Sequence, residues 1–204
     1  VSVNALAQLN QKLEANFAHL PLVNKKEDIV PGEGQLGATI MMIGEAPGFN
    51  EAVQRRPFVG RSGQLLRQTI SAVGLDLKNI YISNIVKARP PENRDPSPQE
   101  IAAFKPYLDE EIEILEPKLI VTLGRFSLNK FLPDVKISAV HGRLHKVSWN
   151  DKKIFVLPMY HPAAALRGTQ VKNQFVTDFA KINKILLWID DQNNFDLSSL
   201  LLSE

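Results

Sequence analysis

The chain has 204 residues, 44% hydrophobic and 23% charged, which excludes a disordered or low-complexity chain and suits one folded domain spanning 1–204. The formal net charge is +2, mildly basic and compatible with a polyanionic partner without requiring one. There is no cysteine, which excludes disulfides, thiolate zinc sites and cysteine-ligated iron–sulfur clusters. No apolar run reaches bilayer length and no stretch reads as a secretory leader, so the expected location is cytoplasmic, with no membrane partner.

In chain order, Leu6, Leu9, Leu13 and Phe17 recur at helical spacing and predict an amphipathic helix from Asn4 to about Ala18. Pro21, Pro31, Gly32 and Gly34 mark a loop. Ala38 to Ile43 reads as a buried strand, Gly44 to Gly63 as a long loop, and Gln64 to Val73 as a short helix stopped by Gly74. A second strand is expected over Asn79 to Val86, followed by a polar, proline-rich loop from Lys87 to Ser97. Ser97, Pro98 and Glu100 form a helix start with a capping box, and that helix runs towards Leu115 with a disturbance at Pro106. Leu119 to Leu123 and Ile154 to Met159 are the remaining strands, with His141 and His145 placed in a strand pair between them. Val171 to Ile189 reads as one long helix, and the tail from Asp190 is polar apart from Leu200 to Leu202.

Continuous apolar strands alternating with helices imply an α/β fold, a three-layer α/β/α sandwich around a mainly parallel four-stranded sheet. In such sheets ligands bind beyond the carboxyl ends of the strands. The unusual loops follow the strands directly: GEAPG, SNIVKARPP, LGR and YHPAAALRG, so they converge on one side.

Each motif has a chemical reading and a plainer one. In Gly44-Glu45-Ala46-Pro47-Gly48, a held carboxylate can orient water or face a developing cation; otherwise Glu45 is a solvated turn residue. Phe58, in the glycine-rich Arg56–Gly63 loop, can stack on a planar base, or simply plug the loop. Asn84 offers donor and acceptor to a pyrimidine edge, or satisfies local backbone. His161 can donate to a carbonyl gaining negative charge, although a lone histidine is more often structural. Beyond it, Leu166 can wedge into a base stack and Arg167 can meet a phosphate.

Taken together, GEAPG, RPFVGRSG, YISNIVKARPPENRDPSP, LGR and HPAAAL resemble family 4 of the uracil-DNA glycosylase superfamily, in order and spacing, from about Phe17 to Leu187. The resemblance implies a monofunctional glycosylase that flips uracil out of DNA and hydrolyses its N-glycosidic bond. Glu45 would position the attacking water and His161 would stabilise the departing base. Gly44, Ala46, Phe58 and Asn84 would bind uracil. Arg61, Ser62, Pro162, Ala163, Leu166 and Arg167 would contact DNA, single- or double-stranded, with Leu166 the wedge. Free uracil would be the product, the enzyme would act as a monomer, and no metal would be needed.

The chain departs from the family in two places. Family members carry a four-cysteine iron–sulfur cluster; the corresponding places here hold Phe17, Leu20, Ala88 and Phe104, so the cluster is expected to be absent. An apolar cluster is expected instead, two Phe and one Leu contributing about 1.5–3 kcal/mol each if buried. The usual Glu-Asp and the later Gly are Glu51-Ala52 and Arg55. Three other readings carry distinct expectations. A covalent uracil-DNA binder would need a nucleophilic histidine absent between Lys87 and Pro98. A glycosylase for hypoxanthine or xanthine would favour those bases over uracil. A non-catalytic nucleotide-binding module would bind small molecules and leave no abasic product.

Overall fold

The computed structural model describes residues 5–201, with side chains described through residue 192. Strands β1 (Ile40–Gly44), β2 (Ile80–Asn84), β3 (Leu119–Leu123), β4 (His145–Trp149) and β5 (Lys152–Met159) form one sheet in the order β2-β1-β3-β5-β4. The first four in that order run parallel, and β4 pairs antiparallel with β5 on the edge. The sheet therefore has five strands rather than four. The additional strand is weakly written: only alternate residues of β4 are even partly buried, so its apolar signal is half that of its neighbours.

Alternation along the buried strands divides the core between two faces. Ile40, Met42, Ile80, Ile82, Val121 and Leu157 face one cluster, covered by helices α3 (Arg61–Ala72), α8 (Thr169–Phe179) and α9 (Ile182–Leu201). Met41, Ile43, Tyr81, Ile120 and Val156 face the other, covered by α1 (Ala5–Ala15), α4 (Pro98–Leu115) and α5 (Arg125–Phe131). This is the expected α/β/α layering.

Several boundaries differ from expectation. The first helix ends at Ala15, and Phe17–His19 makes a separate 3-10 turn; Asn4 lies outside the described residues. The expected long loop contains α2 (Phe49–Gln54), which closes with Arg55 at φ 51°. Ser97 caps α4 and completes the capping box with Glu100, as expected, but the helix runs unbroken through Pro106. The long C-terminal helix is two: α8 ends where Asp178 turns inward, 4% exposed, to His141 and Lys181, and α9 starts at Ile182. His141 itself caps the one-turn α6 (Ile137–Val140) rather than joining a strand, whereas His145 opens β4. The apolar stretch Leu200 to Leu202 lies beyond the described side chains. No helix among the described residues is long and apolar enough to cross a membrane.

Candidate active site

The strand ends place the site. Gly44 and Asn84 are the last residues of β1 and β2 and stand in register as neighbours. The chain leaves both strands still tied together, with Ile85 N donating to Gly44 O at 3.0 Å and Val86 N to Glu45 O at 3.1 Å. A Cβ on Gly44 would sit 2.4 Å from both Asn84 Oδ1 and the Phe58 ring, so glycine is what allows those two side chains to close on this backbone. Gly63 does the same from below: a Cβ there would meet the Phe58 carbonyl carbon at 2.0 Å.

Above these strand ends lies a cleft of about 500 Å³. It is lined by Glu45, Ala46, Phe58, Ser62, Asn84, His161, Ala163 and Arg167 among the residues singled out by sequence. Gly44 does not line it and lies behind Asn84 and Phe58, which do. Arg61 and Leu166 do not line it; both are exposed, and Leu166 projects 43% free from the end of α7 (Pro162–Ala165). Pro162 is buried as the first residue of that helix, so its ring serves the turn and is not presented at the surface.

Phe58 is 5% exposed, and its ring centre lies 5.8 Å from that of His161. Its φ is +54°, a left-handed conformation that an aromatic residue adopts only under external restraint. Two side chains not assigned roles from sequence supply that restraint. Glu51 Oε1 accepts from Val59 N at 3.1 Å and Gly60 N at 2.8 Å. Arg67 donates to the carbonyls of Phe58 and Pro57, each at 3.1 Å.

Asn84 is 4% exposed and its Oδ1 has no hydrogen-bond partner among the described residues. A buried acceptor left open at the wall of a cleft is a ready partner for an N–H of a ligand. His161 caps α7: its Nδ1 accepts from Ala163 N at 3.1 Å. That bond assigns the neutral tautomer with the proton on Nε2. Burial, and after it the Arg167 charge, bring the imidazole down to about 4, with Glu51 opposing the fall. Glu45 moves the other way: burial raises its carboxyl above the ordinary value, Asp95 adds to the rise, and Arg125 opposes it. Asp95 and Arg125 form an ion pair and both line the cleft.

The family model of the uracil DNA glycosylase superfamily matches residues 31–186. The chain belongs to this superfamily. It is 44% identical to the type-4 uracil-DNA glycosylase of Sulfurisphaera tokodaii, over 79% of this chain and 76% of that protein. It is 41% identical to the type-4 enzyme of Archaeoglobus fulgidus, over 78% and 83% of the two chains. It is 43% identical to that of Saccharolobus solfataricus, over 79% and 77%. Within the superfamily the chain therefore stands with the type-4 members.

The four places that hold cluster-ligating cysteines in this family do not fit such a group here. Leu20, Ala88 and Phe104 belong to one buried apolar cluster, and Phe17 packs against it. Phe104 and Ala88 are fully buried. The chain has no cysteine, and among the described residues no group of three or more His, Asp or Glu could hold a metal ion.

Among the residues the sequence reading missed, Glu51, Asp95 and Arg125 line the cleft. Arg125 was visible as the last residue of LGR, and Asp95 within ENRDPSP, but neither spacing carries a chemical signature. Glu51 was visible only as half of an altered pair. Its role depends on a bond to backbone eight and nine residues away, which no residue pattern announces.

Proposed function

We propose that this chain removes uracil from DNA by hydrolysing the N-glycosidic bond, as a monomer, releasing free uracil and leaving an abasic site. The observation that carries this reading is the pairing, in one cleft, of a half-buried carboxylate with a neutral histidine whose Nε2 proton is free. When the bond from the sugar C1′ to uracil N1 breaks, the electron pair leaves with the base and positive charge develops on the sugar. His161 Nε2–H donates to the uracil carbonyl oxygen that gains negative charge. Ionised Glu45 faces the sugar cation and takes the proton of the water that attacks C1′. Phe58 stacks on the extruded ring. Asn84 accepts the uracil N3–H at its open Oδ1 and donates from Nδ2 to the neighbouring carbonyl. Base extrusion costs roughly a few kcal/mol, which Leu166, exposed on the α7 turn, offsets by occupying the vacated stack. Arg61, Ser62, Ala163 and Arg167 lie where the flanking backbone passes; Pro162 acts by shaping the turn.

The same reading places no iron–sulfur cluster in this enzyme. Phe17, Leu20, Ala88 and Phe104 supply apolar packing where relatives of this family place metal ligands. Stoichiometric iron in the pure protein would overturn this.

The test is alkaline strand scission of a labelled uracil-containing oligonucleotide, in chelator, with Glu45→Gln and His161→Ala alongside. Scission by the wild type that falls at least about tenfold in each variant supports the assigned roles. Absence of an abasic product would overturn the reading, and a complex surviving denaturant would point to covalent binding instead.

A further inference from the structure

The cleft has an aromatic rim that the chemistry above does not use. Phe49 opens α2 directly after Pro47 and Gly48, which line the cleft, and is 60% exposed. Val53, one turn along the same helix, is 68% exposed. The core therefore has no use for this face of α2. From the opposite loop, Arg89 lies over the Phe49 ring, its guanidinium carbon 5.2 Å from the ring centre. Arg89 is itself fixed, donating from Nε to Asn93 Oδ1 at 2.8 Å, and Pro90 and Asn93 both line the cleft. A flat ring at the start of α2 and a flat cation from the loop after β2 thus stand together, each next in sequence to a residue of the cleft wall.

We propose that Phe49 and Arg89 form a stacking platform for the nucleobase adjacent to the target uracil in single-stranded DNA, an inference that rests on the glycosylase reading. A base entering between Phe58 and Asn84 draws its neighbour to the mouth of the cleft. In a duplex the complementary strand holds that neighbour in the stack. In a single strand its π-face is free, and an aromatic ring backed by a guanidinium accepts any base without reading its edge. The negative backbone beside that base meets the Arg89 charge. The platform thus favours uracil in single strands with little dependence on sequence.

The test separates binding from cleavage. Affinity is measured by fluorescence anisotropy with a labelled single-stranded oligonucleotide carrying a non-hydrolysable 2′-fluoroarabino uridine. In one oligonucleotide the flanking nucleotides are natural; in the other both are abasic tetrahydrofuran residues. Phe49→Ala is expected to weaken binding to the natural strand about tenfold, Phe49→Trp to restore it, and Phe49→Ala to change nothing on the abasic-flanked strand. Equal weakening on both strands, or none on the natural one, overturns the platform. Uracil release by the wild type is assayed separately, so loss of the glycosylase reading shows as no abasic product and loss of the platform as an unchanged ratio of affinities.

Discussion

Glu51→Ala is the most informative single change in the molecule, because it removes a strut and leaves every proposed reacting group chemically unaltered. The carboxylate is 8% exposed and accepts from two backbone N–H groups, at 3.1 and 2.8 Å, on the segment that follows Phe58. Hydrogen bonds to a charged group contribute about 1.5–3 kcal/mol each. The lower end for both bonds gives a loss of about 3 kcal/mol in Glu51→Ala. In a chain of this length that corresponds to roughly 6–12 °C in Tm. Glu51→Gln keeps one oxygen facing the same donors without the charge and should lose about 1 kcal/mol. Without the strut, only Arg67 and the packing of the ring in the apolar cluster resist relaxation of Phe58 out of its left-handed conformation, so the ring is expected to shift in its seat beside His161. Urea denaturation gives the first quantity. The kcat/KM of uracil release, measured where both proteins are fully folded, gives the second and should fall at least about tenfold in Glu51→Ala. The charge has its own signature: Glu51 holds the His161 pKa up, so Glu51→Gln should lower it below about 4, read by NMR titration of the imidazole. A Glu51→Ala protein with wild-type stability and wild-type kcat/KM would refute this account of how Phe58 is held.

Three further outcomes follow from the same structure. Phe104→Ala empties a fully buried site in the apolar cluster and should cost about 3–5 kcal/mol by urea denaturation; a loss under about 1 kcal/mol would mean the cluster packs loosely and does not stand in for a metal centre. Lys87→Met leaves Glu111, 2% exposed and paired with Lys87 Nζ at 2.6 Å, as an unpaired buried carboxylate, and should cost about 3–5 kcal/mol; Lys87→Met together with Glu111→Leu should recover most of that loss. In the proposed mechanism Glu45 and His161 both act unprotonated, so both should give losses on the acid side of the kcat/KM profile. The Glu45 limb should lie above a carboxylate's ordinary value, since burial raises its pKa, and the His161 limb near 4. Activity should be flat from above the Glu45 limb through neutrality, and an alkaline loss near pH 6.5 would show that a protonated imidazole does the work instead.

The residues proposed to touch the base and the bond were legible in the sequence, because each is a chemically distinctive side chain beside a strand end. Glu45, Asn84 and His161 follow or end β1, β2 and β5, and parallel strands deliver their carboxyl ends to one edge whatever the details of packing. Phe58 was legible for a different reason, as an aromatic ring in a glycine-rich loop with no apolar periodicity to absorb it. The absence of cysteine settled the thiolate chemistry outright. What only the tertiary structure decided is how those groups are held and tuned. That Glu51 and Arg67 lock Phe58 into a strained backbone, that Ala163 N fixes the His161 tautomer, and that Arg125 and Asp95 pull on Glu45 in opposite directions are relations between positions far apart or through backbone atoms. The fifth strand and the break between α8 and α9 belong to the same class. A half-buried edge strand carries half the hydrophobic signal, and at the break between the helices Asp178 is turned inward to His141, 37 residues earlier, and to Lys181 in the joint itself. Side-chain chemistry is local and written residue by residue, whereas restraint is a property of contacts that exist only once the chain has folded.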